Sequence, residues 1–108
     1  MTKRQRTYDQ ISYALLYWRT GTMPERSVKT RVKQALENYT KCQIINRRGQ
    51  LKICIGHSAN DRQIWQRITD WDFLPTEPQN ASAGAAYILA MTDEIIKEFE
   101  IIVDDLAF

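Results

Sequence analysis

Histidine is nearly absent from this 108-residue chain, which holds one, His57, together with two cysteines, three prolines and four glycines. Each shortage removes a class of chemistry. A histidine-activated nucleophile would have only His57 to use, with Cys42, Cys54 or Ser58 beside it, and no catalytic motif surrounds any of them. A zinc site would need Cys42, Cys54 and His57 to converge, and Cys-x11-Cys-x2-His matches no zinc ligand spacing. The glycines stand apart at 21, 49, 56 and 84, so no Gly-rich loop is available to cradle a phosphate. The expectation is a non-enzymatic chain with no catalytic residue, no metal and no cofactor.

Long apolar runs are also missing. None reaches the ~18 residues that a membrane span needs. The charged start, Met1 to Arg6, is followed at Ile11 to Trp18 by a stretch too short and too polar for an export signal. No membrane association is expected, and a cytoplasmic location is, where both thiols stay reduced. Two glycosylation-like triplets, Asn38-Tyr-Thr40 and Asn80-Ala-Ser82, then read as chance matches. With 44% hydrophobic residues and little Gly or Pro, residues 1–108 are expected to form one globular domain.

What the chain does have is charge, unevenly distributed. Residues 1–52 carry 12 Lys and Arg against 3 Asp and Glu, a balance of +9, whereas residues 53–108 carry 3 against 10, a balance of −7. The net value of +2 conceals this split. A basic half suits a polyanionic partner; it also suits a merely solvated face.

Apolar periodicity places the elements. Thr7-x-x-Gln10 reads as a capping box opening a helix to about Arg19. Tyr8, Ile11, Leu15 and Trp18 recur at helical spacing, and Tyr13, Leu16 and Tyr17 add apolar surface on the other side, so more than one face is expected to be buried. Thr22-x-x-Glu25 reads as a second box, opening a helix to about Tyr39 with Val28, Val32, Ala35, Leu36 and Tyr39 in one stripe. Its opposite side carries Arg26, Thr30, Lys33, Gln34, Glu37 and Lys41, with Lys29 and Arg31 on the flanks. Residues 42–55 read as a β-hairpin turning at Arg48-Gly49, with Arg47 opposite Gln50. That register puts Cys42, Ile44, Leu51, Ile53 and Ile55 on one face and Ile45, Arg47, Lys52 and Cys54 on the other. Asn60-x-x-Gln63 is read as opening a short helix with Ile64, Trp65, Ile68 and Trp71 inward, and residues 74–84 as a loop. A last helix, about 82–106, places Ile88, Thr92, Ile95, Phe99, Ile102 and Leu106 at alternating steps of four and three. The fold class expected is α+β, mainly helical, with about four helices and one hairpin.

A basic helix followed by a basic hairpin resembles the recognition helix and wing of winged-helix domains, over roughly residues 7–55. The resemblance is one of element order alone, and only Thr20 to Thr22 separate the first two helices, where such domains place a further short helix. It implies binding of double-stranded DNA, favoured over RNA, by a transcriptional regulator. The contact residues would be Arg26, Lys29, Thr30, Arg31, Lys33, Gln34, Arg47, Arg48 and Lys52, and Lys3, Arg4 and Arg6 would form an arm. Ile88, Ile95, Phe99, Ile102 and Leu106 would form a homodimer seam or a partner interface. The alternative is a small adaptor or inhibitor docking on a protein through that stripe and through Trp65 and Trp71. An RNA-binding form would need exposed tyrosines among Tyr8, Tyr13, Tyr17 and Tyr39.

Overall fold

Thr2 starts the first helix. Its hydroxyl accepts from the Gln5 backbone N–H, and the Gln5 side chain accepts from the Thr2 N–H in return, a complete capping box. Helix α1 therefore spans Lys3–Arg19, five residues longer at its start than the sequence suggests. Thr7, read as the cap, lies inside the helix and donates its hydroxyl back to the Lys3 carbonyl. The basic arm is accordingly helical. A tight connection through Gly21 (φ 76°) leads to α2, Glu25–Thr40. Pro24 is its N-cap and supplies no side-chain bond, while Thr22 pairs with Thr20.

The computed structural model describes residues 1–71 and 81–106. Beyond α2, β1 (Ile44–Arg47), β2 (Gln50–His57) and β3 (Gln63–Asp70) form an antiparallel meander in the order β1-β2-β3, and α3 spans Ala81–Leu106. The class is α+β as expected, but the composition is corrected: there are three helices and a three-stranded sheet, not about four helices and one hairpin. The segment read as a fourth helix is β3. The hairpin is thus two strands of a larger sheet, and the winged-helix-like description of residues 7–55 is withdrawn with it. Residues 74–80 of the expected loop lie outside the described residues.

The hairpin register follows the expectation, Arg47 facing Gln50 and Ile44 facing Ile53. Both turn residues have positive φ, Arg48 at 53° and Gly49 at 74°, as a two-residue type I′ turn requires. One sheet face, Ile44, Leu51, Ile53 and Ile68, is fully buried. It joins Ile11, Ala14 and Leu15 of α1, Val28, Val32, Ala35 and Leu36 of α2, and Ile88, Ile95, Ile96, Phe99 and Ile102 of α3 in a single core. The helices cover that face, giving a two-layer domain.

Polar ties fix the layers. Trp71 is buried at the end of β3. Its indole N–H donates to Asn46 Oδ1 at 2.8 Å, and Asn46 donates in turn to the Lys29 carbonyl at 3.2 Å, locking hairpin to α2. The Trp18 ring meets Trp71 edge-on at 6.0 Å. At the opposite end, Glu100 of α3 accepts from Arg4 of α1 at 3.1 Å and from the Tyr39 hydroxyl of α2 at 2.8 Å. Arg4 is therefore engaged within the fold.

Candidate nucleic-acid interface

The α2 stripe Val28, Val32, Ala35 and Leu36 is buried, so the remaining positions of this helix are fixed in direction. Its polar residues divide between two flanks. Lys29 and Lys33 turn toward the sheet side and are paired within the helix, to Glu25 at 2.9 Å and Glu37 at 3.3 Å. Lys29 also stands 5.8 Å above the Trp71 ring. Arg26, Thr30, Arg31 and Gln34 are exposed and line a groove of about 610 Å³ with Met23 and Ser27.

The hairpin residues lie elsewhere. Arg48 shares a shallow cleft with Glu25, Lys29, Gln50, Asp70 and Trp71. Arg47 and Lys52 belong to the outer sheet face, the side away from the core. Lys52, on the central strand, sits between Ile45 of β1 and Arg67 of β3. Two like charges directly opposite on neighbouring strands oppose pairing. Arg47, diagonal to Lys52 on the other side, adds a third cation. Arg67 has one counter-charge, Asp70, at 3.4 Å. Trp65, opposite Cys54, and Ile45 occupy the same face, and neither packs on the core. A surface that sets aromatic and aliphatic side chains among cations suits an anionic ligand with flat groups.

Of the nine sequence-predicted contact residues, Arg26, Thr30, Arg31 and Gln34 are brought together, Lys29 and Arg48 form a second pair, and Arg47 and Lys52 a third group. Lys33 faces Glu37. Arg26, Arg31, Arg47, Arg48 and Lys52 take part in no ion pair among the described residues. Reading 60–71 as a helix hid Arg67 and turned Trp65 inward, away from the surface it shares with Lys52. The other omission is Tyr13 and Tyr17. Expected to be buried, they are 58% and 41% exposed and stack on each other at 6.4 Å with 23° between the rings. The i,i+4 spacing of two tyrosines was the available signal. Tyr8 and Tyr39 are half-buried instead, with hydroxyls donating to the Leu89 carbonyl and to Glu100. Burial, assisted by neighbouring carboxylates, pushes both phenols above their ordinary value.

The residues read as a dimer seam lie mostly within the core. Ile88, Ile95, Phe99 and Ile102 are core residues in contact with this chain's own α1 and sheet, and Leu106 is half-buried against them. Trp71, one of the two proposed tryptophan anchors, is likewise internal. No group of three or more His, Cys, Asp or Glu converges into a metal-ligand set among the described residues. No described helix is long and apolar enough to cross a membrane. Comparison with protein-family models, curated proteins and solved structures gave no match.

Proposed function

We propose that this chain is a small non-enzymatic protein that binds nucleic acid, with Arg26 and Arg31 of α2 and Arg47, Arg48 and Lys52 of the hairpin as its phosphate contacts. The observation that carries the reading is the set of five cations without a carboxylate partner among the described residues, on two neighbouring elements. Lysines and arginines placed in this way displace condensed counterions from a phosphate backbone, which makes affinity fall linearly on a log–log plot against salt. Thr30 and Gln34, in the same groove as the two α2 arginines, supply hydrogen-bonding groups for base edges. Arg67 and Trp65 extend the surface across the sheet. The guanidinium and ammonium groups position the strand, and the amide, hydroxyl and aromatic groups meet the bases.

The test is fluorescence anisotropy with labelled random-sequence duplex and single-stranded oligonucleotides over a salt series. A steep linear loss of affinity with salt is expected. The double variant Arg31→Glu, Arg48→Glu should weaken binding and reduce the slope by about 2, one for each lost phosphate contact. An unchanged slope in that variant, with its fold intact by circular dichroism, removes these residues from the interface.

A further inference from the structure

We infer that the cleft between α1 and α2 is a stacking site for unpaired nucleobases, so that the preferred ligand is a single strand. The inference rests on the nucleic-acid reading and adds the base-binding element to it. Ala14 of α1 and Ala35 of α2, both buried, line the same cavity between the helices. The surface above them opens into a cavity of about 330 Å³ bordered by Tyr13, Tyr17, Gln10, Arg31, Gln34 and Asn38. That volume falls within the range of about 300–1,000 Å³ common for small-ligand sites. The cavity continues into the α2 groove, because Met23, Arg31 and Gln34 line both.

Three observations select the occupant. The first is aromatic exposure. Tyr13 and Tyr17 sit on the helix face turned from the core, already stacked with each other, where water contact with two large rings is unfavourable. Stacking a planar base on a tyrosine removes that area from water, and tyrosine loses little rotamer freedom in doing so. The second is hydrogen-bonding capacity. Gln10, Gln34 and Asn38 place amide donors and acceptors around the rings, the groups that read Watson–Crick edges. The third is charge. Among the described residues, Arg26 and Arg31 are the charged ones lining the joined cavities, and no carboxylate lines either. An anion is favoured there, and the adjacent phosphates of a strand whose bases lie on the tyrosines supply it. In a duplex the base faces are covered by their stacked neighbours, so the tyrosines would have nothing to meet.

The experiment uses the full chain and fluorescein-labelled probes of about ten nucleotides: oligothymidine, oligouridine, an abasic deoxyribose-phosphate strand of the same length, and a duplex. Oligothymidine or oligouridine is expected to bind more tightly than both the abasic strand and the duplex, and whichever pyrimidine strand binds better distinguishes DNA from RNA. Tyr13→Ala, Tyr17→Ala should weaken the pyrimidine strands by about tenfold or more while leaving abasic affinity and the salt slope unchanged. Tyr13→Phe, Tyr17→Phe keeps both rings and should retain binding, which separates stacking from loss of fold. Equal affinity of the alanine variant and the parent for the pyrimidine strands, or an equal loss on the abasic strand, overturns the stacking site while salt-dependent binding by the parent leaves the broader reading standing. Absence of binding to every probe at low salt overturns both.

Discussion

The turn at Arg48 sets stability against binding, and the trade can be measured. Arg48 holds φ at 53°, a left-handed conformation that costs a non-glycine L-residue about 1–2 kcal/mol. Asparagine visits this region far more readily, and Asn-Gly is the preferred pair for a type I′ turn. Arg48→Asn therefore converts Arg48-Gly49 into the favoured sequence with no change to the ladder, since Arg47 and Gln50 remain paired on either side. The gain expected is about 1 kcal/mol. With unfolding entropy of about 2.1 cal/mol/K per residue, that corresponds to a rise in Tm of roughly 4 °C for a chain of 108 residues. The same change deletes one exposed cation, so log affinity against log salt should lose about 1 from its slope. Arg48→Lys, which keeps both charge and strain, should alter neither quantity much. Thermal unfolding by circular dichroism and anisotropy on one preparation read both effects. A melting point at or below that of the parent refutes the strain argument. An unchanged salt slope refutes the phosphate contact. Strain kept at a site that a neutral residue would relieve is what a functional arginine predicts.

Three further outcomes follow from the same structure. Lys52→Glu replaces the like-charge pair with Arg67 by an opposite-charge one; stability should rise by about 0.2–1 kcal/mol in urea denaturation while nucleic-acid affinity falls. Phe99→Ala opens a cavity where α3 meets α1 and the Tyr39 ring, and should cost about 3–5 kcal/mol, a loss that would be far smaller if the α3 stripe were an unoccupied surface. At high pH, the Tyr39 phenol is held above its ordinary value of about 10 by burial and by the hydrogen bond to Glu100. The folded chain then keeps a proton that the unfolded chain has released, so this stabilisation is complete below about pH 10 and is lost as pH rises through the folded value. Tyr39→Phe should flatten the alkaline fall in stability, though not abolish it, because Tyr8 and Tyr87 shift in the same direction.

Where pattern and geometry agreed, the period was undisturbed. The α2 stripe and the hairpin face are regular repeats of 3.6 and 2: Val28, Val32, Ala35 and Leu36 of the one and Ile44, Leu51 and Ile53 of the other are buried, with Tyr39, Cys42 and Ile55 half-buried against them. The β3 strand was misread because its period is broken. Lys52 pairs with Arg67 while its neighbour Leu51 pairs with Thr69, leaving Ile68 as an extra residue; Cys54 pairs with Trp65 while Gly56 pairs with Ile64, leaving Ile55 extra on β2. Two irregularities of this kind shift side chains between faces. The apolar positions 64, 65, 68 and 71 then fall at helical intervals although the backbone is extended. Ile, Trp and Thr at 64, 65, 68 and 69 were the residual strand signal, and they gave no means of locating the bulges.

The candidate site was legible in kind and illegible in arrangement, for a reason visible in α2. Charge is a one-dimensional property of the sequence, and the excess in residues 1–52 marks the basic half without any coordinates. Which cations share a surface depends on what the helix buries. Because Val28, Val32, Ala35 and Leu36 point to the core, Lys29 falls beside Trp71 and Arg31 beside α1, with Arg26 in the adjoining groove. The same geometry decides the tyrosines. Ile11, Ala14 and Leu15 are enough to bury one face of α1, which leaves Tyr13 and Tyr17 exposed at the rim of the cleft with α2. Apolar content around a helix implies burial on several faces; the packing assigns those rings to solvent, next to an arginine and three amides. An aromatic pair there has no role in the core, so alanine at both positions should cost little stability. If the double variant unfolds at the parent's temperature yet loses the single strand, the rings serve binding; if it melts well below, they serve the fold.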